Sequence, residues 1–251
     1  MEKKPPTFEE FIRARVVLSV PGMDAVEVRK DLVYKTAGGE PLRMDVYAPP
    51  GSREPRPGVI LVHGGPIPRL GAKSIAYFTS LGELLAASGF TAVAFDHRFL
   101  GPDRIPDAAA DVDDLFSHVR ANATDLGVDG DRIALWIVSG AGAFLNAHLE
   151  ARPPWLRALV LYYPVLEPLS ASSAPGRPFP PILIARAGLD EPERNAAIER
   201  FVHDALVQGA SLDLLNQPTG RHGFDMLDDE ERSRQILRHT LHFLREQLAP
   251  R

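Results

Sequence analysis

The chain has 251 residues, a formal net charge of −5, 23 prolines and no cysteine. The missing thiol excludes a disulfide framework, a thiolate zinc site, an iron–sulfur cluster and a cysteine nucleophile, and the acidic balance argues against a nucleic-acid partner, whose binding surfaces are normally basic. Hydrophobic residues at 45 % and charged residues at 24 % match an ordinary soluble globular protein, and the length suits a large α/β domain with an ample core.

The first six residues, Met1-Glu2-Lys3-Lys4-Pro5-Pro6, carry basic groups with no apolar stretch behind them. The longest apolar stretch, 158–165, is far short of the roughly 20 residues that span a bilayer. The expectation is a cytoplasmic protein with no membrane partner. Thr7-Phe8-Glu9-Glu10 fits a capping box. It predicts a short helix from 7 to about 17, which could pack on the domain or on a second copy in a homodimer. Strand-like runs at 27–35 and 41–47 flank Ala37-Gly38-Gly39-Glu40 and predict a hairpin.

The pattern then changes to continuous apolar strands alternating with amphipathic helices. Pro57-Gly58-Val59-Ile60-Leu61-Val62 reads as a strand buried on both faces. A helix over 75–88 puts Leu81, Leu84 and Leu85 on one face, with Gly89 as its C-cap. Further strands are predicted at 91–95, 131–138, 157–163, 182–186 and 211–215, and helices at 107–124, 142–150 and about 193–208. Leu237, Leu241, Leu244 and Leu248 mark a C-terminal helix. Such alternation implies a mostly parallel, doubly wound sheet with the hairpin as an antiparallel edge. Residues 1–27 read as a helix and lead-in, and 28–251 as one domain. The Pro- and Ser-rich stretch 169–181 reads as an excursion over the sheet's carboxyl edge, a minimal cap.

Ligands bind at the carboxyl ends of the strands in open α/β sheets. The polar residues expected there are His63-Gly64-Gly65-Pro66, Ser139-Gly140-Ala141-Gly142, Gly188-Leu189-Asp190 and Gly220-Arg221-His222-Gly223-Phe224. A serine, an aspartate and a histidine in that chain order, each just past a strand, make a nucleophile–orienter–base set. Four stretches then carry a family resemblance: Leu42-Arg43-Met44-Asp45-Val46-Tyr47, Val62-His63-Gly64-Gly65-Pro66, the run from Asp131 to Gly140, and His222-Gly223-Phe224. Over about residues 28–249 the chain resembles the α/β-hydrolases, in particular their dienelactone-hydrolase-like and small-carboxylesterase branch.

The resemblance implies an α/β-hydrolase fold and hydrolysis of a small-molecule carboxylic ester, of short acyl chain, through an acyl-enzyme. Ser139 is the expected nucleophile, His222 its base and Asp190 the residue that orients the imidazole, with Glu191 as a neighbouring substitute. Gly140 and either Gly65 or Gly64 are the expected oxyanion donors, because Pro66 has no N–H. Pro66, Ile67, Pro68, Tyr163 and Phe224 are expected to line the mouth. Tyr163 could donate its hydroxyl to a bound carbonyl or cap the sheet edge. No cofactor is implied, since neither a Gly-x-Gly-x-x-Gly nor a Walker-type lysine is present, and no metal, since His239 and His242 read as a surface pair. His63 is expected to order the oxyanion loop, His97 to make a structural hydrogen bond, and His118, His148, His203, His239 and His242 to sit on helices.

One departure stands out. The usual Gly-x-Ser-x-Gly elbow keeps small residues two before and two after the serine. Here Ala141 is small but Ile137 is not. The sequence therefore predicts a widened elbow or smaller neighbours. It leaves two other readings: amide or peptide hydrolysis on the same three residues, and a non-catalytic binding protein.

Overall fold

The apolar runs form strands because each can bury both of its faces. The computed structural model, which describes residues 7–52, 54–67, 70–144, 151–169 and 178–250, arranges them in one eight-stranded sheet. The strands are β1 (Glu27–Ala37), β2 (Glu40–Ala48), β3 (Arg56–Val62), β4 (Thr91–Phe95), β5 (Val128–Val138), β6 (Leu156–Tyr162), β7 (Ile182–Ala187) and β8 (Leu212–Gln217). Their order is β1-β2-β4-β3-β5-β6-β7-β8. β1 pairs antiparallel with β2, and β2 antiparallel with β4; all later pairings are parallel.

Alternation along each strand sorts side chains into two cores. Ile133, Leu135 and Ile137 of β5 join a cluster with Val112 and Leu115 of helix α3 (Ile105–Ala121). Ala134, Trp136 and Val138 face the other way, toward Leu81, Leu84 and Leu85 of helix α2 (Ala76–Ala87). Helix α5 (Pro192–Val207) adds Ile198 and Phe201 to the first core, and helix α7 (Glu231–Gln247) adds Leu237, Leu241 and Leu244 to the second. Between these lie the short helices α4 (Ala123–Leu126) and α6 (Phe224–Leu227). Each side of the sheet is thus covered by helices, as the doubly wound reading requires. Among the described residues no helix is long and apolar enough to cross a membrane.

One local expectation changes, and two fall largely outside the described residues. The capping box forms, with the Thr7 amide donating to Glu10 at 2.7 Å and the Glu10 amide to Thr7 at 3.2 Å. The helix it starts, α1 (Phe8–Arg13), ends well before 17. Beyond it the backbone extends, and the amides of Val16 and Val17 donate to Ser80 Oγ and the Asp225 carbonyl. These tertiary partners outweigh continued helix. Of the expected helix over 142–150, residues 142–144 belong to a 3-10 turn at Ser139–Phe144, and the rest lies outside the described residues. Most of the 169–181 excursion also lies outside them.

Polar anchors fix the loops beside the sheet's carboxyl edge. Buried Lys73 bonds Asp45 at 2.8 Å and Asp31 at 2.9 Å, and Asp96, just past β4, accepts the amides of Gly71 and Lys73. This network holds the segment between β3 and α2 that faces the site. Asp111 of α3, fully buried, takes two bonds from the Arg98 side chain and one from Lys35.

Candidate active site

Ser139 follows β5, Asp190 lies three residues past β7, and His222 five past β8. The sheet order brings these separate strand ends together. Ser139 has φ +53, a left-handed conformation rare for a side-chain-bearing residue, and its neighbours hold it there. Its carbonyl accepts the Val165 amide at 2.9 Å. Gly142 leaves room for this, since a Cβ there would collide with the Val165 backbone. The small residue that the elbow requires is therefore at the third position after the serine.

Ile137, the departure from the usual pattern, is buried in the same core cluster as Ala141 and Phe144. The turn it adjoins is 3-10, tighter in section than an α-helix. A bulky side chain two before the serine is accommodated by a small residue two after it and a narrow turn beyond.

The three residues form a hydrogen-bonded line. Ser139 Oγ is 2.8 Å from His222 Nε2, and His222 Nδ1 is 2.7 Å from Asp190 Oδ2. A carboxylate at Nδ1 selects the tautomer protonated there, which leaves the Nε2 lone pair to accept the serine hydroxyl. Burial opposes the Asp190 charge, but the hydrogen bond and charge of His222 and the Glu191 amide outweigh it, so the carboxyl lies below its ordinary pKa. Glu191, the neighbouring substitute, is turned to solvent and pairs with Arg194 at 3.2 Å.

The proposed oxyanion glycines crowd the serine. A Cβ on Gly64 would come within 2.8 Å of both Ser139 Cβ and the Val138 carbonyl, and one on Gly140 within 2.5 Å of the Gly65 carbonyl. Only backbone without side chains fits between β3 and the elbow. Behind this loop His63 and His97 stack with centroids 3.6 Å apart, and His97 Nε2 lies 3.1 Å from the His63 carbonyl. Burial pushes His63 down to about 4 and His97 further, so both are neutral supports of the loop. His203, His239 and His242 sit on exposed helix faces beside acids, and His148 lies outside the described residues.

A cavity of about 270 Å³ opens over Ser139 and His222. Pro66, Ile67 and Tyr163 line it as expected; Pro68 lies outside the described residues. Phe224 is a correction. It is fully buried, stacked on Tyr162 at 5.9 Å behind Tyr163, and does not reach the mouth. It starts α6, which turns Phe224 into the core while Met226, two residues on, reaches the cavity. Tyr163 packs its ring on His222 at 4.5 Å, while its hydroxyl donates to Asp225 at 2.8 Å. Of its two expected uses, the structural one is seen.

Sequence reasoning did not single out Asp225, Arg194, Tyr77 or Phe11. Asp225 is completely buried and accepts hydroxyls from Tyr77 and Tyr163. Burial pushes its carboxyl up to about 6 despite those bonds. A lone acid between Phe224 and Met226 was its signal. Arg194 Nη1 lies 2.9 Å from His222 Nδ1, and Arg194 Nε 3.5 Å from Asp190 Oδ1. Its signal was the four-residue spacing from Asp190 across the start of a helix. Among the described residues no group of three or more His, Asp or Glu side chains is placed to hold a metal ion.

Comparison with known proteins bears on the fold. Esterase 2 of Thermogutta terrifontis, in its apo form, superposes with a TM-score of 0.71 over 92 % of this chain and 98 % of its own, at 22 % identity. The fold is that of an α/β-hydrolase. The esterase LipW of Mycobacterium marinum shares this hydrolase fold, with a TM-score of 0.71, 24 % identity, and coverage of 90 % of this chain and 83 % of LipW. The family model described as BD-FAE matches residues 44–151, a stretch that starts in β2 and includes the turn at Ser139. No curated protein matches the chain.

Proposed function

We propose that the protein is a serine hydrolase of carboxylic esters acting through an acyl-enzyme on Ser139. The observation that carries the reading is the line Ser139–His222–Asp190, at 2.8 and 2.7 Å, on a strained turn facing a cavity. Ser139 Oγ attacks the ester carbonyl carbon as its proton passes to His222 Nε2. The carbonyl π pair moves to oxygen, where the backbone amides of Gly140 and of Gly65 or Gly64 stabilise it. Each such donor contributes roughly 2.7–4 kcal/mol to the transition state. The tetrahedral intermediate collapses, the C–O bond to the alcohol breaks, and His222 gives its proton to the leaving oxygen. A water molecule, deprotonated by His222, then attacks the acyl carbon and releases acid and free serine. Asp190 holds the tautomer and stabilises the imidazolium in both steps.

The similar Thermogutta terrifontis esterase 2 is described in butyrate-bound form and phosphorylated by paraoxon. Those descriptions support a short acyl group here, and a serine open to phosphorylating agents. The dienelactone-hydrolase-like placement rests on the sequence stretches alone. Ile137 is the residue that would favour a non-catalytic protein, but its burial beside Ala141 leaves the Ser139–His222 contact intact, which favours catalysis.

The test is fluorophosphonate labelling followed by mass analysis, with p-nitrophenyl acetate turnover as readout. The folded protein is expected to gain one phosphonyl adduct on Ser139 and to hydrolyse the ester, and Ser139→Ala to do neither. A folded sample that does not label overturns the reading. Turnover of amides above esters would make it a peptidase-type enzyme instead.

A further inference from the structure

Helix α1 lies outside the sheet-and-helix core, yet Phe11 on it forms part of the cavity wall above Ser139. A six-residue helix is too short to persist by its own hydrogen bonds. Its position is set by residues 15–18, just beyond its C-terminus. Arg15 pairs with Glu83 of α2 at 2.6 Å, the Val16 amide donates to Ser80 at 2.9 Å, and the Val17 amide to the Asp225 carbonyl at 2.8 Å. Val16 and Leu18 are buried in the core between these bonds. Ile12, beside Phe11, adjoins Ile67, Leu70 and Ile75 across a second, smaller hollow. The helix is thereby seated on α2 and on the segment leading into it, with Phe11 turned toward the serine.

Among the described residues, the rest of the wall has one chemistry. Ile67, Ile75, Phe78 and Met226 are apolar, and Tyr77 and Tyr163 present ring faces because both hydroxyls are committed to Asp225. Away from Ser139, His222 and the glycine backbone, the named walls offer a polar substituent no side-chain partner. A hydroxyl or charge on the bound group would be desolvated without compensation.

We infer that Phe11 closes an acyl pocket and sets the length of the unbranched, apolar acyl chain the enzyme accepts. The inference rests on the esterase reading above and names its substrate class. The acyl group is the arm that must stay in place between the two chemical steps, so the apolar pocket suits it. The alcohol leaves when His222 protonates it, and the part-exposed edge of His222 is its way out. A dry cavity of about 150 Å³ holds a benzene, so one of this size takes an acyl chain of about four to eight carbons.

The experiment compares kcat/KM for p-nitrophenyl esters from acetate to dodecanoate in the wild type, Phe11→Ala and Phe11→Trp, with fluorophosphonate labelling of each protein. A methylene forced against a rigid wall costs about tenfold or more in kcat/KM. The wild type should fall off by that factor beyond its optimum. Phe11→Ala should raise the decanoate-to-butyrate ratio by about tenfold, and Phe11→Trp should lower it. A parallel series of acetate esters with lengthening alcohols should respond equally in all three proteins. Three labelled proteins with one shared acyl profile overturn the inference and leave the esterase reading standing. So does a response confined to the alcohol series. A folded wild type that does not label overturns both.

Discussion

Two aspartates with buried side chains face the histidine loop, and the protein treats them oppositely. Asp190 receives the imidazole N–H and a backbone amide, and its carboxyl is held below the ordinary range. Asp225 receives two phenolic hydroxyls and its own backbone amide, yet burial raises it to about 6. Burial disfavours both charges, and more so for the fully buried Asp225. Each carboxylate also has an amide, but only Asp190 is hydrogen-bonded to a potential cation, and that bond tips the balance toward its charged form. The charged partner suits a residue that must balance an imidazolium. The second acid ties the loop to α2, to the end of β6 and, through its carbonyl, to the N-terminal segment.

The largest expected separation of the two is catalytic. Asp190→Asn should select the wrong histidine tautomer and lower kcat by roughly 10⁴-fold, as such changes do in other triads. Asp225→Asn leaves the Ser139–His222–Asp190 line in place and should lower kcat far less. Equal losses in p-nitrophenyl acetate assays would erase the distinction between them.

Stability against pH should separate them next, with opposite signs. The Asp225 pKa is raised from 3.8 to about 6, so its contribution to folding is complete below about pH 3.8 and is lost as the pH rises through 6. At neutral pH the buried charge costs about 3 kcal/mol relative to its protonated form. Asp190 contributes above its unfolded pKa and loses that contribution as the pH falls through its lowered folded value. Urea unfolding from pH 2 to 7 should therefore show Asp225→Asn gaining on the wild type between pH 4 and 7, and Asp190→Asn losing on it as the pH rises from 2 toward 4. Parallel curves would contradict both assignments.

A smaller effect tests the hydroxyl donors. Tyr163→Phe removes one bond to Asp225 and should destabilise the fold by about 1–3 kcal/mol at pH 7, since a buried acceptor loses its partner. The cost should shrink below pH 5, where the carboxyl is protonated. Smallest of all is the elbow. Ile137→Val should cost about 0.5–1.5 kcal/mol in urea unfolding and leave fluorophosphonate labelling in place. A larger cost, or loss of labelling, would mean that Ile137 shapes the serine turn directly.

Much of the site was legible in the chain. Ser139, Asp190 and His222 each follow an apolar run, and such runs end at one edge of a parallel sheet. The glycines at 64, 65 and 140 were legible as positions where only bare backbone fits around Ser139. Other residues were hidden for physical reasons. Phe11 is one apolar residue in a short amphipathic helix, and nothing local says that it spans to a serine 128 positions later. Phe224 looked like a mouth residue from its adjacency to His222, but helix α6 turns it into the core. Arg194 and Asp225 interact with His222 and its supports through folds of the chain that local periodicity does not encode.

The sequence by itself determined the alternation of strands and helices, the doubly wound sheet with its antiparallel hairpin, and the residue types at the strand ends. These properties arise from apolar periodicity and from the backbone freedom of glycine, which act over a few residues. Only the tertiary structure decided which acid's pKa falls and which rises, which aromatic ring supports His222 and which helix walls the cavity. Those outcomes depend on desolvation and on donors brought from distant segments, and both exist only once the chain has closed around them.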